Sequence, residues 1–221
     1  MLKLYHTPIS ANSRRVWITL LEKGIPFEEV LLKLDGDQFH PEFLEISPFH
    51  HIPVLIDDGF KIVESLAILD YLEAKYPTPP LMPTDAKAIA TVRMVEMVTL
   101  NELLPAMIRL TSQAMGFVEN DPQKLEQAKQ KTLAVLKFFE NLLGDSPYFG
   151  SDGLTLADIV AGTTVPQLPL IGVTLDDYPK LSAWSDRLMQ RETWVKTQPS
   201  QEELAAFIPR MKTLMRAYLA N

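Results

Sequence analysis

The chain has 221 residues, no cysteine and a formal net charge of -7. With 47% hydrophobic and 22% charged residues it has the balance of a globular protein of one large or two small domains. The missing cysteines exclude a disulfide framework, thiolate metal sites and a cysteine nucleophile. A pI near 5.1 argues against a nucleic-acid backbone as partner, and no apolar run reaches the roughly 20 residues of a membrane span.

Pro8 and Arg14-Arg15 interrupt anything resembling a signal-peptide core, so the expected compartment is the cytoplasm. Leu2, Leu4 and His6 share one face of a first strand, with Lys3 and Tyr5 on the other. From Asn12 to Lys23 the period becomes helical: Val16/Leu20 and Trp17/Leu21 are i, i+4 pairs, and Gly24 is a natural stop. Phe27–Leu32 is a second strand, parallel to the first through a right-handed crossover. A loop at Asp35-Gly36-Asp37 and a short helical stretch at Pro41–Ile46 follow. Val54–Asp57 and Phe60–Val63 are strands joined by Asp58-Gly59, a strong hairpin signal. Leu66–Lys75 is a helix. The order βαβ-α-ββα makes a four-stranded mixed sheet carrying helices in a domain spanning 1–77.

Residues 76–85 carry four prolines (77, 79, 80 and 83), so 78–85 is a stiff linker. Beyond it strand signals fade, and 86–221 is predicted to be an all-α domain. Helices are expected over Asp85–Met115 with a kink at Pro105, then over Pro122–Leu143, Thr155–Thr164, Tyr178–Gln190 and Gln201–Leu219. Thr155 and Asp158 form a capping box, flanked by a Leu154/Ile159 staple. This is a folding signal rather than chemistry.

Four segments carry a family resemblance. Ser10-Ala11-Asn12-Ser13-Arg14-Arg15-Val16 follows the first strand, and Ser47-Pro48-Phe49-His50-His51-Ile52-Pro53-Val54 precedes the hairpin. Glu64-Ser65-Leu66-Ala67-Ile68 opens the next helix, and Gly153-Leu154-Thr155-Leu156-Ala157-Asp158 lies in the helical half. In this order and spacing they resemble the cytosolic glutathione transferases, best the serine-type theta, phi and zeta classes and also the cyanobacterial chi-like proteins. The resemblance implies a thioredoxin-like domain followed by an all-helical glutathione-transferase C-terminal domain. It also implies a homodimer, glutathione as co-substrate, and conjugation of its thiolate to small hydrophobic electrophiles in detoxification, with peroxides among the candidates. There is no complete Ser-Ser-Cys triplet of the zeta isomerases. The competing reading is a non-catalytic glutathione-binding or scaffold protein on the same fold.

The chemistry requires a thiolate. A free thiol has a pKa near 8.5, and lowering it by about two units takes ~2.7 kcal/mol of preferential stabilisation. A hydroxyl donor to the anion supplies roughly 1.5–3 kcal/mol and a helix N-terminus about 0.3–1 kcal/mol. Ser10, just before the first helix, suits this role, although a serine there also reads as a plain helix cap. By resemblance Ser10 is the donor and Ser13 a supporting polar residue. Tyr5 is the rival, since other classes use a tyrosine near this strand, and Asn12 is a weaker one.

Glu64 and Ser65 open a helix whose free N–H groups suit the γ-glutamyl carboxylate; a plain Ser65 cap is the structural alternative. By resemblance Ile52-Pro53 is a cis peptide whose Ile52 backbone pairs with the cysteinyl unit. Gln38, His40 and His51 are candidates for the glycine carboxylate, with His51 standing where theta- and phi-like proteins often carry lysine. Asn101 stands where some classes reach the second subunit's glutathione site. Leu104, Met107, Ile108, Thr111 and Met115 recur on one helical face, as core or as the electrophile pocket that the family builds there. His50-His51 point to opposite faces and no ligand spacing is present, so no metal is expected. Arg14-Arg15 are expected to serve solvent and an internal salt bridge rather than nucleic acid.

Overall fold

The computed structural model describes residues 1–117 and 121–209. The chain divides into two compact units, Met1–Leu81 joined by the described residues from Glu192 onward, and Met82–Arg191.

In the first unit β1 (Leu2–His6), α1 (Ala11–Glu22) and β2 (Phe27–Leu31) form the crossover, and α2 is a single turn at Pro41–Leu44. The strands β3 (Val54–Asp57) and β4 (Phe60–Ile62) precede α3 (Ser65–Lys75). The sheet order is β2-β1-β3-β4. As the strand–helix–strand order predicts, β1 pairs parallel with β2, Leu2 opposite Phe27. It pairs antiparallel with β3, Tyr5 opposite Val54. Asp58 and Gly59, at φ 47 and 89, close the β3–β4 hairpin, the pair of left-handed residues that a two-residue turn matched to strand twist requires.

Alternation divides β1 between two faces. Leu2 and Leu4 are buried on one, in a core with Val16, Ile18 and Leu20 of α1 and Ile68, Leu69 and Leu72 of α3. Tyr5 lies on the other, packed on a cluster of Leu32, Phe43 and Val54. The buried Lys23 ammonium donates to the carbonyls of Tyr76 and Pro79, each at 2.8 Å, and pairs with Glu73 at 2.6 Å. It ties the Pro-rich segment, which is not helical, to the end of α1. α9 (Glu192–Thr197) packs on α1. This helix, with fully buried Trp194, is not foreseen by the periodicity.

The second unit contains α4 (Ala86–Val98), α5 (Leu104–Ala114), α6 (Pro122–Leu143), α7 (Leu156–Gly162) and α8 (Pro179–Met189). The long helix expected over Asp85–Met115 is interrupted earlier than Pro105, by a π-helical turn at Thr99–Leu103. Pro105 follows at the second position of α5, and the turn before it adapts to the donor that proline lacks: Leu104 N bonds five residues back, to Thr99 O. A 3-10 segment at Val165–Ile171 is a further element that the proline-rich sequence conceals.

The capping box at α7 forms as expected. Asp158 Oδ2 accepts from Thr155 N at 2.8 Å, and Oδ1 also accepts from Phe149 N at 3.0 Å and Trp184 Nε1 at 2.8 Å. The fully buried carboxylate thus joins α7, α8 and the chain before α7. Residues 201–209 are helical; the remainder of the helix predicted over Gln201–Leu219 lies outside the described residues. No helix among the described residues is long and apolar enough to cross a membrane.

Candidate active site

Two helix N-termini and one loop of the first unit are brought together at the C-terminal end of β1. Ser10 caps α1 in extended conformation, and its Oγ accepts from Ser13 N at 3.3 Å. A hydroxyl has one donor and two acceptor sites. Among the described residues no protein acceptor takes the Ser10 proton, so capping leaves the O–H available. Ser13 is fully buried, and its Oγ accepts from Thr7 N at 3.4 Å, which braces the turn carrying Ser10. Asn12 Oδ1 is buried without a hydrogen-bond partner. The Tyr5 ring stands 6.3 Å from that of Phe43.

The Tyr5–Val54 register sets Ile52-Pro53 beside the end of β1, and this peptide is cis, as the resemblance implies. Ser65 is not the cap of α3 but its first helical residue. Glu64 occupies the cap at φ 66 and ψ 116, and no side chain caps the helix. A non-glycine residue at such a φ is costly and is held there by its surroundings, and the consequence is an open set of N–H groups at Ser65, Leu66 and Ala67. Ile68 N is the first with a helical acceptor, Glu64 O at 3.0 Å. Arg15 Nη1 donates to Ser65 Oγ at 3.4 Å, connecting α1 to this terminus and adding positive charge to it.

Arg15 stands at this helix terminus, a position the sequence reading did not give it. Both arginines are buried, Arg14 at 4% and Arg15 at 0% exposure, against the part of the expectation that turned the pair to solvent. The signal was the nearly continuous apolar run Val16-Trp17-Ile18 and Leu20-Leu21. A helix apolar on most sides is enclosed, and charged residues within its span are enclosed with it.

The loop before β3 gathers the histidines. Gln38 is buried, and its Oε1 accepts from Gly36 N at 3.2 Å, so its carbonyl end braces the loop. His40 and His51 are exposed. The His51 backbone N–H donates to Ser47 Oγ at 3.2 Å, and Ser47 Oγ donates to His51 O at 2.8 Å. His50, at φ 58, lies against Phe39 with ring centroids 4.9 Å apart. The remaining candidates belong to the second unit. Asn101 is exposed in the π turn; Leu104, Met107, Ile108 and Thr111 are half-buried on α5; Met115 is exposed at its end.

Comparison with known proteins identifies the family. Residues 4–80 match the family model "Glutathione S-transferase, N-terminal domain", and residues 69–192 match "Glutathione S-transferase, C-terminal domain". Glutathione S-transferase F10 of Arabidopsis thaliana is 32% identical over 211 residues, 88% of this chain and 95% of that protein. The structure of a delta-class glutathione transferase of Nilaparvata lugens superposes with a TM-score of 0.81 at 26% identity, covering 97% of this chain and 100% of the other. A glutathione transferase homologue from Sulfitobacter, solved with bound glutathione, gives 0.74 at 26% identity over 89% and 96% of the two chains. A thioredoxin-like unit with a four-stranded mixed sheet, followed by helices, defines a glutathione-binding architecture. The chain belongs to the glutathione S-transferase family, enzymes that join the sulfur of glutathione, their co-substrate, to an electrophile.

Proposed function

We propose that this transferase activates glutathione through Ser10 and works as a cytoplasmic homodimer on small hydrophobic electrophiles, a detoxifying role. The observation that carries the reading is the Ser10 hydroxyl: its oxygen is engaged by Ser13 N while its proton is unclaimed, at the positive end of α1. The glutathione thiol loses its proton to solvent, and the thiolate accepts from Ser10 Oγ. The sulfur then attacks the electrophilic carbon; the C–S bond forms as the leaving group departs with its electron pair.

The other candidates hold the tripeptide. The open N–H groups of α3 take the γ-glutamyl carboxylate and Glu64 its amine. The Ile52 backbone ahead of Pro53 pairs with the cysteinyl unit, and His40, His51 and Gln38 meet the glycine carboxylate. Asn101 reaches the glutathione of a second copy. Leu104, Met107, Ile108, Thr111 and Met115 offer apolar, adaptable contacts to the electrophile. Met94 and Met97, exposed one turn apart on α4 at 41% and 43%, support a partnered surface. The packing of Tyr5 against Phe43 favours Ser10 over Tyr5 as donor.

The test is the ultraviolet difference absorbance of enzyme-bound thiolate against pH. In Ser10→Ala the bound thiol pKa is expected to rise by about 1–2 units, with conjugation near neutral pH falling about 10- to 100-fold and retention on glutathione resin preserved. An unchanged pKa and rate would remove Ser10 from the mechanism and restore Tyr5.

A further inference from the structure

The second unit holds a pocket of about 350 Å³ beside α8. Leu181, Trp184 and Leu188 are the fully buried face of that helix. Ser182, Ser185, Asp186 and Met189 recur at helical spacing on another face and line the pocket. The rest of the lining comes from Pro166 and Pro169 of the 3-10 segment and from Thr174, Leu175 and Asp176 after it. A pocket of this size holds a small ligand, and none of its residues is among those given to glutathione or to the electrophile.

The pocket carries negative charge that no side chain cancels. Asp176 and Asp186 are exposed, and among the described residues neither has a cationic partner. The cations of α8 are committed elsewhere. Lys180 pairs with Asp145 at 2.9 Å, and Arg187 donates to Pro147 O at 2.7 Å and lies over the Tyr148 ring. A hydroxyl adds an independent sign of a missing donor. Ser185 is 6% exposed and lines the pocket. Buried helical hydroxyls at Thr19 and Thr132 donate to the carbonyl four residues back, at 2.8 and 2.9 Å. Ser185 Oγ makes no such bond and has no other partner among the described residues. A buried hydroxyl left unpaired costs stability, and its lone pairs can accept from a donor that enters the pocket.

We propose that this pocket binds a short aliphatic diamine. Asp176 and Asp186 each take one ammonium, and the methylene chain lies against Pro166, Pro169, Leu175 and Met189. An ammonium brings three donors and no acceptor. It therefore suits a lining whose polar side chains offer carboxylate oxygens and the hydroxyls of Thr174, Ser182 and Ser185. Two separated charges on the ligand match the two on the pocket. A bare metal ion fits less well: calcium takes roughly six to eight oxygens, and much of this lining is apolar. Among the described residues no group of three or more His, Cys, Asp or Glu could hold a metal. An apolar stem with charged ends uses both kinds of surface.

The experiment is calorimetric titration of the full chain at about 0.15 M salt with the four-carbon and six-carbon α,ω-diamines, beside n-butylamine and calcium chloride. Saturable binding of at least one diamine, one per chain, is expected, with n-butylamine about tenfold weaker. Asp176→Asn and Asp186→Asn should each weaken the diamine about tenfold, and Ser185→Ala about threefold. Asp152→Asn, at an exposed carboxylate outside the pocket, should leave affinity within about twofold. Both pocket aspartates are exposed, so their variants should melt as wild type does. The absence of saturable heat up to about 10 mM diamine overturns the proposal, as does diamine binding that survives the three pocket substitutions. An equal loss in Asp152→Asn marks general attraction to an acidic chain, and n-butylamine as tight as the diamines marks a site for one charge; either result overturns it. Calcium that binds more tightly than the diamines, and is weakened by the same variants, makes this an inorganic-cation site and overturns it too.

Discussion

A serine that caps a helix with a lone pair still has a proton to donate, and at Ser10 the structural and chemical readings of one residue coexist. His51 poses a different question, because a lysine in its place would bring an ammonium on a longer, flexible stem to the proposed position of the glycine carboxylate. His51→Lys is expected to tighten glutathione about 3- to 10-fold, as quenching of intrinsic tryptophan fluorescence would register. An unchanged affinity would move the carboxylate elsewhere.

His6 gives a stability prediction instead. Its ring is fully buried, 5.0 Å from Trp17, and desolvation lowers its pKa from 6.5 to about 4. The unfolded chain therefore takes the proton first as pH falls. The contribution of neutral His6 is fully present above about pH 6.5 and is lost between there and pH 4, up to ~3 kcal/mol in all. The denaturant midpoint of wild type should fall relative to that of His6→Leu as pH drops through that interval. A constant separation would contradict the shift.

Among the elements, the best-read ones declare themselves locally. The Asp58-Gly59 turn, the boundaries of α6 and the box opening α7 all lie where the sequence puts them, since each depends on residues within a few positions of one another. The capping box nevertheless understates Asp158, whose carboxylate also receives Phe149 N and Trp184 Nε1. Removing it leaves buried donors from three segments without an acceptor. Asp158→Ala should cost roughly 3–5 kcal/mol, read as a lower denaturant midpoint with loss of the Trp184 near-ultraviolet signal. Asp158→Asn, keeping one carbonyl oxygen, should cost less. The elements that escaped the sequence reading do not have this local character. α9 is short and takes its stability from packing on α1. The π turn inserts into an otherwise regular apolar pattern, and the 3-10 segment carries Pro166 and Pro169, which read as loop. The open start of α3 was equally hidden, because nothing in Glu64-Ser65 announces a positive φ.

For the molecule as a whole, the fold was legible because hydrophobic period changes from two to 3.6 at the right places and prolines mark the passage between the halves. The burial of Arg14 and Arg15 was signalled only indirectly, by the apolar run that follows them, since enclosure of a charge is settled by tertiary neighbours. A homodimer would sediment at twice 25.0 kDa; Met97→Glu on α4 should shift it toward the single-chain mass, and an unshifted dimer would place the interface elsewhere. Lys23 has a consequence for chemical reactivity. Its amino group has no exposed side-chain surface and is held by two carbonyls and Glu73, so an acylating reagent cannot reach it while the Pro-rich segment is docked. Acyl labelling of this one amine is therefore a clock for local opening, and acetylation trapped there would keep the segment from closing again.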